Sequence, residues 1–163
     1  KLLKNGDIRL PAADYFISRE DHDAIEARSG VQPWDVLYSM IGTIGEVAVV
    51  KPGYSTFSIK NVGLFKSGED QHLAEFSAYW LGSRQVRDFV ELRASGTSQR
   101  YVPLGLLREL PIPFPPAHER REVVAVLSAV DAKIAAEGQS QAALEELFRS
   151  TLEELMTGQI RLV

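Results

Sequence analysis

The chain has 163 residues, 45% of them hydrophobic and 25% charged, which fits one folded domain, or one with a helical appendage, and argues against wholesale disorder. It has no cysteine, so disulfides, thiolate zinc sites and cysteine nucleophiles fall away together and a reducing cytoplasm is the expected location. Apolar runs such as Val47-Ala48-Val49-Val50 are too short to span a bilayer, so no membrane role is expected. A net charge of −4 argues against nucleic acid at first, because DNA readers draw affinity from phosphate neutralisation.

In chain order, Asp21 to Ala27 reads as a short helix capped by Ser18, with Asp21 three residues on as an approximate capping box. Trp34 to Ile41 reads as a strand, Gly42-Thr43-Ile44-Gly45 as a tight turn, and Glu46 to Lys51 as the returning strand, ended by Pro52-Gly53. Phe57 to Phe65 is a further strand candidate. Leu73 to Leu92 is expected to be helical, with Phe76, Tyr79, Trp80, Val86, Phe89 and Val90 on one apolar face. The composition then changes at Pro111-Ile112-Pro113-Phe114-Pro115-Pro116, after which there is no proline and only two glycines. A domain boundary is expected there. Residues 1–116 form an irregular, β-rich α+β domain with a small sheet, and residues 117–163 a long helix.

Within that helix Val123, Leu127, Val130 and Ile134 alternate four and three residues apart. The same register passes through Glu137 and Gln141 to Leu144, Phe148, Thr151 and Leu155, a heptad seam with polar gaps near Gly138. Gly138 marks a bend or a close approach by a neighbouring helix, and Thr157-Gly158 ends the element. About 40 residues at about 1.5 Å each make a rod roughly 60 Å long. A first domain of roughly 13–14 Å radius of gyration cannot cover such a stripe, so a partner helix is expected, in this chain or another.

Catalytic patterns are missing. His22, His72 and His118 are far apart, and each reads as a solvated residue in an acidic or helix-start setting; no metal-ligand spacing surrounds them. Gly42-Thr43-Ile44-Gly45 lacks the Gly-Lys-Ser/Thr ending of a phosphate loop, and no Gly-x-Ser-x-Gly elbow occurs. Phe114-Pro115-Pro116-Ala117 has neither the amide nor the aromatic of an adenine methyltransferase loop. Asp131-Ala132-Lys133, the only acidic-x-Lys triplet, lies inside the long helix rather than in a nuclease core.

Several segments together resemble the recognition domain and following helix of type I restriction–modification specificity subunits. They are Asp35-Val36-Leu37-Tyr38-Ser39 with Gly42-Thr43-Ile44-Gly45-Glu46-Val47, then Phe57-Ser58-Ile59-Lys60-Asn61-Val62, then Ala94-Ser95-Gly96-Thr97-Ser98-Gln99-Arg100-Tyr101. The proline-rich run Leu110 to Pro116 with His118-Glu119-Arg120-Arg121, and Met156-Thr157-Gly158-Gln159-Ile160-Arg161, complete the ordered set from about residue 30 onward. Arg120 departs from the family pattern, which has Gln after Glu. A full subunit carries two recognition domains and two helices where this chain has one of each. Lys1 is not an initiator methionine, so a fragment and a self-pairing half-subunit are both compatible.

The resemblance implies a non-catalytic cytoplasmic subunit that reads half of a split target in double-stranded DNA. Its long helix would pair as a spacer with a second half or a second copy. Methyltransferase subunits, and restriction subunits with them, would dock on the scaffold; S-adenosylmethionine would belong to the methyltransferase, and this chain would bind no cofactor or metal.

Base reading calls for Arg, Lys, Asn or Gln on protruding elements, and phosphate contact for Arg, Lys, Ser or Thr. The candidates are Lys60 and Asn61, the loop residues Thr97, Ser98, Gln99, Arg100 and Tyr101, and the helical Arg84 and Arg87. Residues 84–101 carry four arginines against Asp88 and Glu91, and the chain's acidity lies mainly after residue 116. The competing reading is a coiled-coil adaptor without DNA specificity, which the net charge favours. The helix-pairing candidates are Val123, Leu127, Val130, Ile134, Leu144, Phe148 and Leu155.

Overall fold

Val36, Leu37 and Tyr38 follow one another and each is about 1% exposed, so the strand they form is covered on both faces. The computed structural model describes residues 3–4, 6–8, 16–54, 57–94 and 100–161. In chain order the elements are β1 (Leu3–Lys4), β2 (Asp7–Ile8), α1 (Arg19–Ser29), β3 (Val36–Ser39), β4 (Val47–Val49), β5 (Val62–Phe65), α2 (Gln71–Leu81), α3 (Arg84–Glu91), α4 (Leu104–Arg108) and α5 (Ala117–Met156). The fold is α+β, as expected. A three-stranded antiparallel sheet of order β4-β3-β5 forms its centre, and β1 and β2 pair as a separate short hairpin.

Alternation along β3 divides the core in two. Val36 and Tyr38 join Ala74, Leu81, Val86, Val90, Val102, Leu107 and Leu110 on the helical side. Leu37 joins Leu3, Ile8, Ala48 and Val50 on the other. The β1–β2 hairpin thus contributes Leu3 and Ile8 to the cover of the second face.

Four expected elements are shorter or divided, and of the returning strand expected over Glu46–Lys51 only Val47–Val49 forms β4. The helix expected over Leu73–Leu92 is two: Ser83 is extended at φ −68°, ψ 160°, and its hydroxyl accepts from Val86 N at 3.4 Å, so it starts α3 instead of continuing α2. The strand expected over Phe57–Phe65 begins only at Val62, because Asn61 sits at φ 59°. The strand expected over Trp34–Ile41 keeps only its centre, with Trp34 at φ 68° and Ile41 in a lone bridge to Tyr101. Ser18 caps α1 as expected, accepting from Asp21 N at 3.0 Å while its hydroxyl donates to Asp21 Oδ2 at 2.7 Å.

The chain divides into two compact units, one ending at Arg121 and one starting at Glu122, so the first turn of α5 belongs to the first unit. α5 itself is one 40-residue helix that continues through Gly138. Gly158, at φ 73°, follows its end, where Gln159 N donates to Glu154 O at 2.9 Å. In the second unit Val130, Ile134, Leu144 and Phe148 are all more than half exposed, Val123 and Leu155 somewhat less, and Leu127 is half-buried. Leu147 and Leu152 widen the stripe beyond the seven-residue seam in its C-terminal half. No helix among the described residues is long and apolar enough to cross a membrane.

Candidate nucleic-acid interface

Antiparallel register decides which loops meet. Ser39 at the end of β3 stands opposite Val62 at the start of β5, and Tyr38 opposite Val47 at the start of β4. The residues just before β5, the turn before β4 and the continuation of β3 therefore share one end of the sheet. Lys60 and Asn61 lie there, both exposed, and so does the turn Gly42 to Gly45. The chain from 100 onward reaches the same end, since Ile41 bridges Tyr101 and Val102 N donates to Met40 O at 2.9 Å.

The turn is pinned from within. Ser39 Oγ donates to Thr43 O and accepts from Glu46 N at 2.8 Å, and Gly45 N donates to Ser39 O at 3.2 Å. Gly42 and Gly45 have φ of 77° and 91°, which an L side chain resists. These are the turn glycines expected from sequence. Ser39, expected only as part of a strand, also serves this turn: a serine close before a Gly-x-x-Gly turn is a local signal for this kind of hydroxyl clasp.

A cavity of about 290 Å³ opens beside the turn, lined by Tyr38, Ile44, Gly45, Glu46, Leu81, Gly82, Ser83 and Arg87. It brings α3 to the same end of the sheet. Burial pushes the Tyr38 hydroxyl above its ordinary pKa, and the positive charge of Arg87 partly offsets this. Arg87 is exposed on α3, while its neighbours Val86 and Val90 are buried in the core. Arg100 is held from one side, its Nη2 donating to Glu91 O at 2.7 Å at the C-terminal end of α3, where the helix dipole favours a cation. A guanidinium has five N–H donors, so this bond leaves it able to serve a ligand.

Five sequence candidates thus come together: Lys60, Asn61, Arg87, Arg100 and Tyr101, the last 44% exposed beside exposed Ile41 and Leu104. Arg84 is engaged differently, its Nε 3.5 Å from Asp88 Oδ2 one helical turn away, with a side chain 90% exposed. Thr97, Ser98 and Gln99, with Gly96, lie outside the described residues.

Among the described residues no three of His, Asp and Glu are grouped to hold a metal ion. His22, expected to be solvated, is half-buried, with Nδ1 2.7 Å from Ser58 Oγ, and it ties α1 to the segment before Lys60. His72 and His118 each stand near a glutamate at about 4 Å, with side chains about half exposed or more.

What the face offers is a rim of cations, an amide and an aromatic on rigidly held backbone, the groups that phosphates and base edges require. Residues 31–146, well over half of the chain and including every element from β3 through most of α5, match the family model described as type I restriction modification DNA specificity domain. The chain belongs to that family, and its role is DNA sequence recognition within a type I restriction–modification specificity subunit.

Proposed function

We propose that this chain reads one half of a split DNA target through the end of the sheet where Lys60, Asn61, Arg87, Arg100 and Tyr101 converge. That convergence, set by strand register and by the Ile41–Tyr101 bridge, is the observation that carries the reading. The chain supplies the address and leaves the chemistry to its partners. α5 pairs with a second long helix, from a second copy or a second half of a subunit, and so spaces the two reading faces. Its exposed stripe from Val123 to Leu155 supports this, since apolar groups repeated along a helix without cover call for a partner. Adenine-methylating subunits that carry S-adenosylmethionine dock on the pair, and restriction subunits join them.

The test is to purify the chain with the methyltransferase subunit encoded beside it and to map adenine methylation by single-molecule sequencing in cells carrying both. A split methylated motif that disappears when this chain is deleted is the expected outcome. A chain that forms no complex and leaves methylation unchanged returns the assignment to the coiled-coil adaptor.

A further inference from the structure

Tyr38 is 1% exposed, yet its hydroxyl makes no hydrogen bond among the described residues. A buried hydroxyl left unpaired is costly, and such a group calls for an explanation. The hydroxyl lies at the Gly42–Gly45 turn, where a Cβ on Gly45 would stand 3.6 Å from Tyr38 Oη, and both residues line the cavity of about 290 Å³ described above. Burial raises the pKa of the group, so at neutral pH it offers a proton to whatever enters.

Gly82, Ser83 and Arg87, which line the same cavity, belong to the start of α3. Positive partial charge collects at a helix N-terminus, where acidic side chains are favoured. In α3 the order is reversed: its first turn has no acid, and arginines stand at its first and fourth residues. Arg84 finds Asp88 one turn on, whereas Arg87 faces the cavity, near enough for its charge to lower the Tyr38 pKa against the effect of burial. Ser83 Oγ accepts from Val86 N and still has its own proton to give, and the N–H groups of Arg84 and Gln85 find no acceptor among the described residues. Donors and positive charge thus gather at one place, and an anion would satisfy them together. Glu46 also lines the cavity, and its charge opposes an anion there.

We propose that this cavity seats a phosphate group, with Tyr38 Oη, Ser83 Oγ and the Arg87 guanidinium as donors, and that the phosphate is one from the backbone of the target DNA. The second clause rests on the function proposed above, while the seat itself does not. Donors from β3, from the cap of α3 and from α3 itself hold one tetrahedral group from different elements. Such a contact carries no sequence information, but it fixes the register of the reading face on the duplex, so that Lys60, Asn61, Arg100 and Tyr101 meet the same base steps each time.

The seat is tested on the full chain with inorganic phosphate, exchanged for chloride at constant ionic strength, by following backbone amide NMR signals. Saturable shifts are expected at residues 82–85. Binding should weaken about tenfold in Tyr38→Phe and in Arg87→Gln, as for loss of one hydrogen bond to a charged group, and tighten in Glu46→Gln. Tyr38→Phe should melt no lower than wild type, because it removes a hydroxyl that has no partner; a tyrosine with a merely structural role would lower the melting temperature and leave phosphate binding alone. No saturable shift, or equal phosphate affinity in Tyr38→Phe, overturns the seat. The source of the phosphate is tested on duplexes carrying the mapped half-site, bound by the chain with its methyltransferase subunit, in which one backbone phosphate at a time is replaced by a neutral methylphosphonate. At one position the replacement should weaken wild type about tenfold and Tyr38→Phe hardly at all. Inorganic phosphate binding without any such position assigns the seat to a free phosphate compound and overturns the DNA clause. A wild type that prefers no duplex sequence overturns the function proposed above, and the seat then stands or falls on the phosphate titration alone.

Discussion

Replacing Arg100 by Gln gives a quantitative test of the reading face, because phosphate contacts and base contacts leave different signatures. The face gathers three cations, Lys60, Arg87 and Arg100, whereas Arg84 is matched by Asp88 on its own helix. If each meets a phosphate, the logarithm of affinity falls against the logarithm of salt with a slope of roughly −2.7, at about 0.9 per contact. Between about 50 and about 200 mM salt that amounts to a loss of roughly 40-fold. Arg100→Gln should reduce the slope to about −1.8 and the loss to roughly 12-fold, on any duplex. If Arg100 instead reads a guanine edge, the slope stays and binding to the preferred sequence drops by about 5- to 160-fold, from a loss of about 1–3 kcal/mol. Fluorescence anisotropy on a duplex carrying the mapped motif and on one lacking it, across that salt range, separates the two. The reasoning fails if Lys60→Gln, Arg87→Gln and Arg100→Gln combined leave both the slope and the preference unchanged.

Three further outcomes follow from local geometry. Phe148→Asp, at a side chain 70% exposed in the second unit, should lower the mass seen by light scattering while the first unit melts as before, and Leu127→Asp should act likewise; an unchanged mass contradicts the pairing seam. Gly45→Ala should cost about 1–2 kcal/mol in urea unfolding, because φ is 91° there, while the new Cβ would lie 3.6 Å from Tyr38 Oη in ordinary contact; a cost near zero would mean that the turn relaxes. The Asp70 carboxyl is held below its usual value of 3.8, first by the Leu73 N–H and also by Arg120, against desolvation that opposes both. Its charge therefore stabilises the fold above that value, and the contribution is lost as pH falls through the lower folded value, so the urea-midpoint gap between wild type and Asp70→Asn should close in acid and persist at neutral pH.

Much of this was legible in the sequence, for reasons that differ from place to place. Period and punctuation exposed the long helix and the central hairpin: seam residues recur at helical spacing in α5, and Gly42 and Gly45 bracket a turn that needs left-handed backbone. Long-range contacts left no such mark. Asp35 is 1% exposed because its carboxylate accepts from Gln32 N and from Lys66 Nζ, both at 2.8 Å, and nothing near Asp35 announces a lysine 31 residues away. Asp70 and Arg120 are 50 residues apart, and Arg120 stood out in the sequence only as a departure from the family pattern. The division at Ser83 was missed because the apolar period continues through it, Phe89 and Val90 falling close to where a single helix would put them. Lys60, Asn61, Arg87, Arg100 and Tyr101 were selected for their chemistry alone; that they share a face follows from register, which only pairing could set.

Charge leads to one more consequence of the proposed function. The chain carries a net −4, and at the face itself Glu46 lines the same cavity as Arg87. Three cations are few for a DNA reader: specific complexes reach roughly 10⁻⁸–10⁻¹¹ M, and proteins with 6–10 phosphate contacts lose about 10³–10⁵ in affinity over the salt range above. Under the proposed function, phosphate neutralisation on that scale would come from a second copy and from the docked methyltransferase subunits. The isolated chain should therefore bind DNA weakly, with a salt slope set by its own cations, while the complex with its methyltransferase should show a much steeper slope on the same duplex and the same half-site preference. Equal slopes for chain and complex would mean that the chain makes most phosphate contacts itself, through residues other than the five on this face. A changed half-site preference would mean that the partner shares in reading bases. A steeper slope with an unchanged preference would place affinity in the partner and sequence in this chain, a division of labour that lets a mildly acidic subunit direct a DNA-modifying complex.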